Sequence, residues 1–225
     1  MNILEKELKL VLVGDARVGK SSWISYLLDG FYQSEYTPTD SYNCERIYFS
    51  TNIGCAKFNF WDLSASCTAQ DRAKWIENCD AAIIMVDLAD QASIENAVSW
   101  YKEIISSQHP ASLPVAIYSW KAYKMTDKRA IDPTEISWSD ELGDTPFFYT
   151  TYLDLNENSN KVIASQSKRR PIGWILEQLT GRVDVEFLIV YSPDESISRA
   201  FDPEFLKQIA PETFSMILDD DDNNL

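Results

Sequence analysis

The chain has 225 residues, a net charge of −15, 45% hydrophobic and 12% aromatic residues, a globular composition with room for one core and an extension. Its acidity opposes docking on phosphate backbones or anionic lipid, which removes nucleic acid from the expected partners. No stretch approaches the roughly 18 apolar residues that span a bilayer, and Met1 to Lys9 lacks the basic-then-apolar order of a secretory signal, so a soluble protein that stays inside the cell is expected.

In chain order, Leu8 to Val13 (LKLVLV) reads as a buried parallel strand that stops at Gly14. A helix is expected to follow over Lys20 to Leu28. Further apolar runs lie at Arg46 to Phe49, Lys57 to Asp62, Ala81 to Asp87, Pro114 to Ser119 and Phe147 to Thr151, with helix-like segments between them. The clearest helix is Ser93 to Ser107, where Ile94, Ala97, Val98, Tyr101, Ile104 and Ile105 fall on one face and Ser93 is the expected N-cap. Another covers Ser167 to Leu179, with Pro171 in its first turn. Strands alternating with helices predict an α/β fold with a mostly parallel sheet covered on both faces. After Gly181, Val185 to Tyr191 is a last apolar run, and the chain closes with the acids Asp219 to Asp222. The expected division is a domain over 1–190 and a C-terminal extension over 191–225 with an acidic tail that buries nothing. The four cysteines, Cys44, Cys55, Cys67 and Cys79, contain no CxxC pair and read as reduced thiols.

Gly14-Asp15-Ala16-Arg17-Val18-Gly19-Lys20-Ser21 fits GxxxxGK[ST] and sits after a strand and before a helix, where a phosphate loop belongs. Its glycines let the backbone wrap phosphate oxygens, the amides and helix N-terminus supply positive potential, Lys20 reaches the outer phosphates, and the Ser21 hydroxyl is a magnesium ligand. The expected nucleotide-binding set here is Asp15, Ala16, Arg17, Val18, Gly19, Lys20, Ser21 and Ser22.

With these residues the chain resembles the Ras superfamily of small GTPases, which implies a P-loop fold with a six-stranded sheet, GTP or GDP, and Mg²⁺. Tyr36-Thr37-Pro38-Thr39 is similar to the family's first switch. The likeness implies Thr39 as a magnesium ligand and places Tyr32 over the base, with Tyr36 in the same loop. Trp61-Asp62 resembles the family's strand-end pair, implying that Asp62 holds magnesium through water. Within the superfamily the chain looks most like the Ran branch, over about Leu8 to Val190, in LKLVLVGD, STNIGCAKFNFWD, AIIMVD and PIGWILEQL, with Trp100, Glu186-Phe187 and an Asp-Pro segment, Phe201-Asp202-Pro203, near the terminus. That likeness implies a nucleocytoplasmic-transport switch, transport factors or other Ran-binding proteins as partners, residence in nucleus and cytoplasm, a monomer, and a tail that packs on the domain in one nucleotide state. The last cysteine is Cys79, so no prenyl anchor is expected.

Three motifs depart from the family pattern. The second switch reads Asp62-Leu63-Ser64-Ala65-Ser66, with alanine and serine where the family has glycine and glutamine. Ala65 can still offer its amide to a γ-phosphate, but Ser66 is too short to orient water, so hydrolysis that is very slow or absent is expected and no catalytic residue is assigned. The base motif reads Trp120-Lys121-Ala122-Tyr123, retaining only Lys121, and replaces the aspartate that recognises guanine. Trp120 and Tyr123 are candidates to stack on the base, which leaves guanine against adenine open. The third base motif reads Thr151-Tyr152-Leu153 and departs too. Ser137 to Asp144 is acidic where Ran has a basic patch. These substitutions leave a second expectation beside the switch: a pseudo-GTPase module that engages partners whatever its nucleotide. A phosphotransferase or ATPase on the same loop is the third and least favoured reading.

Overall fold

A computed structural model describes residues 3–29, 38–107, 113–121, 130–150 and 168–188. Its sheet has six strands: β1 (Glu7–Val13), β2 (Tyr42–Thr51), β3 (Gly54–Leu63), β4 (Ala81–Met85), β5 (Val115–Ser119) and β6 (Phe147–Tyr149), in the order β2-β3-β1-β4-β5-β6. Only the β2–β3 hairpin is antiparallel; every other neighbour pair is parallel. This is the expected α/β fold with its six-stranded, mostly parallel sheet.

β1 lies in the middle because it is apolar on both faces. Leu8, Leu10 and Leu12 enter one core with Trp23, Phe60, Ile83, Tyr118 and Ile175, while Val11 and Val13 enter the other with Ile84, Trp100, Ile104 and Ile117. Helices α1 (Lys20–Asp29) and α5 (Arg170–Thr180) cover the first face, and α2 (Ala69–Ile76), α3 (Gln91–Glu95) and α4 (Ala97–Ser106) the second. β2 alternates instead, with Ile47 and Phe49 buried between exposed Arg46 and Tyr48. Its pairing with β3 is closed by a tight turn in which the Thr51 hydroxyl donates to Gly54 O (2.6 Å) and Gly54 takes a φ of +123°.

The expected Ser93–Ser107 helix is instead two helices. The Asp90 side chain, accepting from Ala92 N at 3.1 Å, caps the first, and the two meet at Asn96. Ser93 is not the N-cap: it is buried, and its hydroxyl accepts from Asp87 N (2.9 Å) and donates to Asp90 O (2.8 Å), holding the turn after β4. α5 begins three residues later than expected, with Pro171 in its first turn. Within its described part, 185–188, the last apolar run makes one bridge, Phe187 with Thr51, and the buried Phe187 ring joins the α1/α5 core. Tyr32, Tyr36, Tyr123, Thr151 and Tyr152, the boundary at 190 and the extension over 191–225 lie outside the described residues.

Candidate functional site

The segment between β1 and α1 turns back on itself through three residues with positive φ: Gly14 (+137°), Arg17 (+66°) and Gly19 (+106°). Successive turns of this kind aim backbone amides inward and make an anion-binding concavity. Gly14 has no substitute, because a Cβ there would lie 2.3 Å from Met85 O on β4. At Gly19 a Cβ would meet Trp120 Cδ1 at 3.2 Å, so its absence lets the segment after β5 close over the loop. Val18 is buried as a peg in the core, whereas Ala16 and Arg17 are exposed at the loop's crest.

Lys20 opens α1 and is only 7% exposed. Its ammonium donates to Gly14 O (2.8 Å) and Asp15 O (3.0 Å), so it bridges the loop from within. Burial lowers its pKa to about 8, against the opposing pull of Asp62 and Asp15. A desolvated cation enclosed by carbonyls and amides is suited to an anion that enters with its own charge. Ser22 follows in the first turn of α1, half-buried. The Asp15 carboxylate turns away from the loop and accepts from Asn96 Nδ2 and Trp100 Nε1, both at 2.8 Å, which ties the loop to α4.

Asp62 reaches the same place from the other side, because β3 runs parallel to β1 with Asp62 opposite Leu12. Ser21 Oγ donates to Asp62 Oδ2 at 2.5 Å, and Thr39 Oγ1 lies 3.3 Å from both Ser21 Oγ and Asp62 Oδ2. The three residues expected to serve magnesium thus converge across 41 positions of sequence. Asp62 is 1% exposed, and its Oδ1 is buried with no hydrogen-bond partner. Burial raises its pKa, against the hydrogen bond from Ser21 and the charge of Lys20. Two hydroxyls and a buried carboxylate with an orphaned oxygen are the hard-oxygen donors that Mg²⁺ takes when phosphates complete its shell. These residues fit that ion, which would there neutralise phosphate charge.

On the base side the structure differs from what the sequence suggested. Trp120 is fully buried, its ring 4.9 Å from that of Tyr26 on α1, so as placed it packs the core and presents no open face for stacking. The stem of Lys121 passes over Gly19, with Cγ and Cε 3.8 and 3.9 Å from where a Cβ would stand. Its ammonium pairs with Asp87 Oδ2 at 2.5 Å.

Switch II is held by residues that the sequence reading did not single out as functional. Arg72 on α2 is 8% exposed and pairs in a bidentate manner with Glu103 on α4 (2.6 and 2.8 Å). Its guanidinium carbon sits 4.7 Å from the centre of the Trp100 ring and its Nη1 donates to Ala65 O (3.3 Å) and to Cys67 O. Ala65 is thereby fixed by its carbonyl. The Ser66 hydroxyl hydrogen-bonds that of Ser64 (2.9 Å). The only signal for this clamp in the sequence is Glu103 standing three positions from Trp100 on the same helix face; its partner is 31 residues away.

Residues 9–121, just over half of the chain, match the family described as Ras of Complex, Roc, domain of DAPkinase. The chain is also 28% identical over 190 residues to GTP-binding protein ypt5 of Schizosaccharomyces pombe, covering 81% of this chain and 87% of that protein. The family match takes in β1 from Lys9 onward, the loop, Asp62 and Lys121. The cofactors that go with a Ras-like family are GTP or GDP and Mg²⁺, and the groups gathered at the ends of β1 and β3 suit both. Matched over that length and folded as the match requires, the chain belongs to the Ras-like small GTPases, in the family of the Roc domain.

Proposed function

We propose that the protein is a GTP-binding molecular switch whose own hydrolysis is very slow or absent. The observation that carries this reading is the meeting of Ser21, Thr39 and Asp62 beside the buried Lys20. Thr39 belongs to one mobile-switch sequence and Asp62 to the other, so a magnesium-bound triphosphate would draw both toward one point. The backbone already couples them: Ser64 N donates to Ser41 O at 2.9 Å. Beyond Thr39, Tyr42 is 43% exposed, with its ring centre 5.1 Å from that of Trp61 and 4.9 Å from that of Trp75. This aromatic surface spans β2, β3 and α2 and would change shape with the two switches, which is what a partner needs to read the nucleotide state. Slow hydrolysis follows from Ser66, whose short side chain hydrogen-bonds its neighbour Ser64 and has no reach for a water at a γ-phosphate.

A second reading, a module that binds partners without regard to nucleotide, is favoured by one observation: the bidentate Arg72–Glu103 pair ties switch II to α4 through protein groups. A place in the Ran branch and a part in nucleocytoplasmic transport rest on the sequence stretches alone, and the name of the ypt5 relative makes no reference to transport.

The deciding experiment is to denature the purified protein, identify the released nucleotide by chromatography, and repeat with Lys20→Ala. Bound GTP that persists for hours, lost in the variant by at least about 100-fold in affinity as a charge-assisted contact to phosphate is removed, supports the switch. No nucleotide in either sample supports the module, and bound ATP would show an altered base preference.

A further inference from the structure

On the α4 side of the sheet, away from the phosphate loop, α3, α4 and residues 131–142 enclose a groove of about 530 Å³. That volume accommodates a few side chains. Its apolar lining is Ile94, Val98, Ile131, Ile136, Trp138 and Leu142, with Trp138 braced against Phe147 at 5.0 Å. Glu95 and Glu135, both exposed, stand at its edge, and among the described residues no Lys or Arg lines it. The Glu95 carboxylate accepts from Gln91 Nε2 (2.9 Å). The Glu135 carboxylate makes no hydrogen bond or ion pair among the described residues. Ser137 and Ser139 stand along the non-helical run 136–139, where polar groups can meet the backbone of an entering chain.

We propose that this groove is a docking site for a partner protein's segment that carries bulky apolar side chains flanked by Lys or Arg. Charge decides the occupant. A purely apolar ligand would fill the floor but leave the two edge carboxylates unpaired, and so gain nothing from the charge beside it. An acidic segment would meet both carboxylates and a chain of net charge −15. A cationic, apolar segment fills the floor and pairs the edge, and the overall acidity speeds its approach. The groove wall is also fixed in place: Ile131 N donates to Leu88 O (2.8 Å), next to the Asp87 that pairs with Lys121. The proposal does not rest on which nucleotide the cradle holds.

The test selects peptides from a random display library on the full chain, with counter-selection on Glu95→Lys/Glu135→Lys. Both positions are exposed, so the fold survives the change. Selected peptides are expected to join bulky apolar residues to Lys or Arg, and a synthetic one to bind Glu95→Lys/Glu135→Lys at least about tenfold more weakly by fluorescence anisotropy. Ile136→Asp should cost about as much by removing the apolar floor. The charge-matched Glu77→Lys/Glu186→Lys variant, altered at exposed positions outside the groove, should stay within about twofold, which separates the site from net charge. The proposal is overturned if no peptide distinguishes the variants, if the selected peptides are acidic or uncharged, or if the charge-matched variant loses as much. Sedimentation showing a dimer that Glu95→Lys/Glu135→Lys dissolves would assign the groove to a second copy of this chain instead.

Discussion

The phosphate loop and the second switch come together at the Ser21–Asp62 hydrogen bond, yet they are built in opposite ways. From Gly14 to Lys20 the chain is held by its own backbone: three positive φ values, a glycine pressed against Met85 O, and a lysine donating to two loop carbonyls. From Ala65 to Ile76 it is held by a side chain, the Arg72 guanidinium, reaching another helix. Backbone geometry admits few residues and leaves a recognisable string. A long-range ion pair can be made from many sequences and leaves almost none.

The sharpest way to break the comparison is Gly14→Ala. The added methyl would stand 2.3 Å from a backbone oxygen that cannot yield without moving β4, and the φ of +137° is costly for any side chain. A loss of about 4 kcal/mol or more is expected, read by urea denaturation or by failure to recover folded protein.

Arg72→Ala tests the other side. Both partners are largely buried, at 10% and 17% side-chain exposure, and truncation leaves Glu103 poorly solvated and unpaired. We expect about 2 kcal/mol of destabilisation. Hydrogen exchange should rise in α2 and spare the phosphate loop, and equal protection in both variant and wild type would mean that apolar packing alone holds switch II.

These differences explain what the sequence disclosed. The alternation of strands and helices and the phosphate loop were legible in local strings, and the meeting of Ser21, Thr39 and Asp62 was implied by the resemblance to small GTPases. The two-helix break at Asn96 was not, since Asp90 and Ser93 are equally good caps and only the buried contacts of Ser93 with Asp87 decide between them. Nor was the burial of Trp120, which depends on Tyr26 and Gly19 closing around it. An aromatic residue at a site edge and one in a core have the same letter.

Asp62→Asn sharpens the boundary between the two regions, as Asp62 is the penultimate residue of β3, where the loop and the switch meet. Burial raises its pKa, so the folded chain takes up this proton more readily than the unfolded one. Its contribution therefore favours folding at low pH and becomes a cost as pH rises from the ordinary 3.8 through the folded value. In nucleotide-free protein the asparagine should raise stability at neutral pH and flatten that dependence in denaturation curves. The same change should weaken Mg²⁺-dependent nucleotide binding about tenfold, through loss of a charged oxygen near the ion. A variant less stable than wild type at neutral pH would show that the hydrogen bonds from Ser21 and Thr39 outweigh the desolvation.

The smallest expected effect is the most specific. If Ser66 took part in activating water, Ser66→Ala would slow single-turnover hydrolysis by the 10²-fold or more that goes with losing a positioned group. Its hydroxyl instead bonds Ser64 at 2.9 Å, within a turn that Arg72 fixes through Ala65 O and Cys67 O. The rate should then change by less than about twofold. Ser66→Gln offers a longer side chain at the same position, but the fixed carbonyl of Ala65 limits how the following residue can swing toward a phosphate. A gain in rate should therefore need Arg72→Ala as well, and a gain from Ser66→Gln alone would show that chain length, and not the clamp, sets the rate.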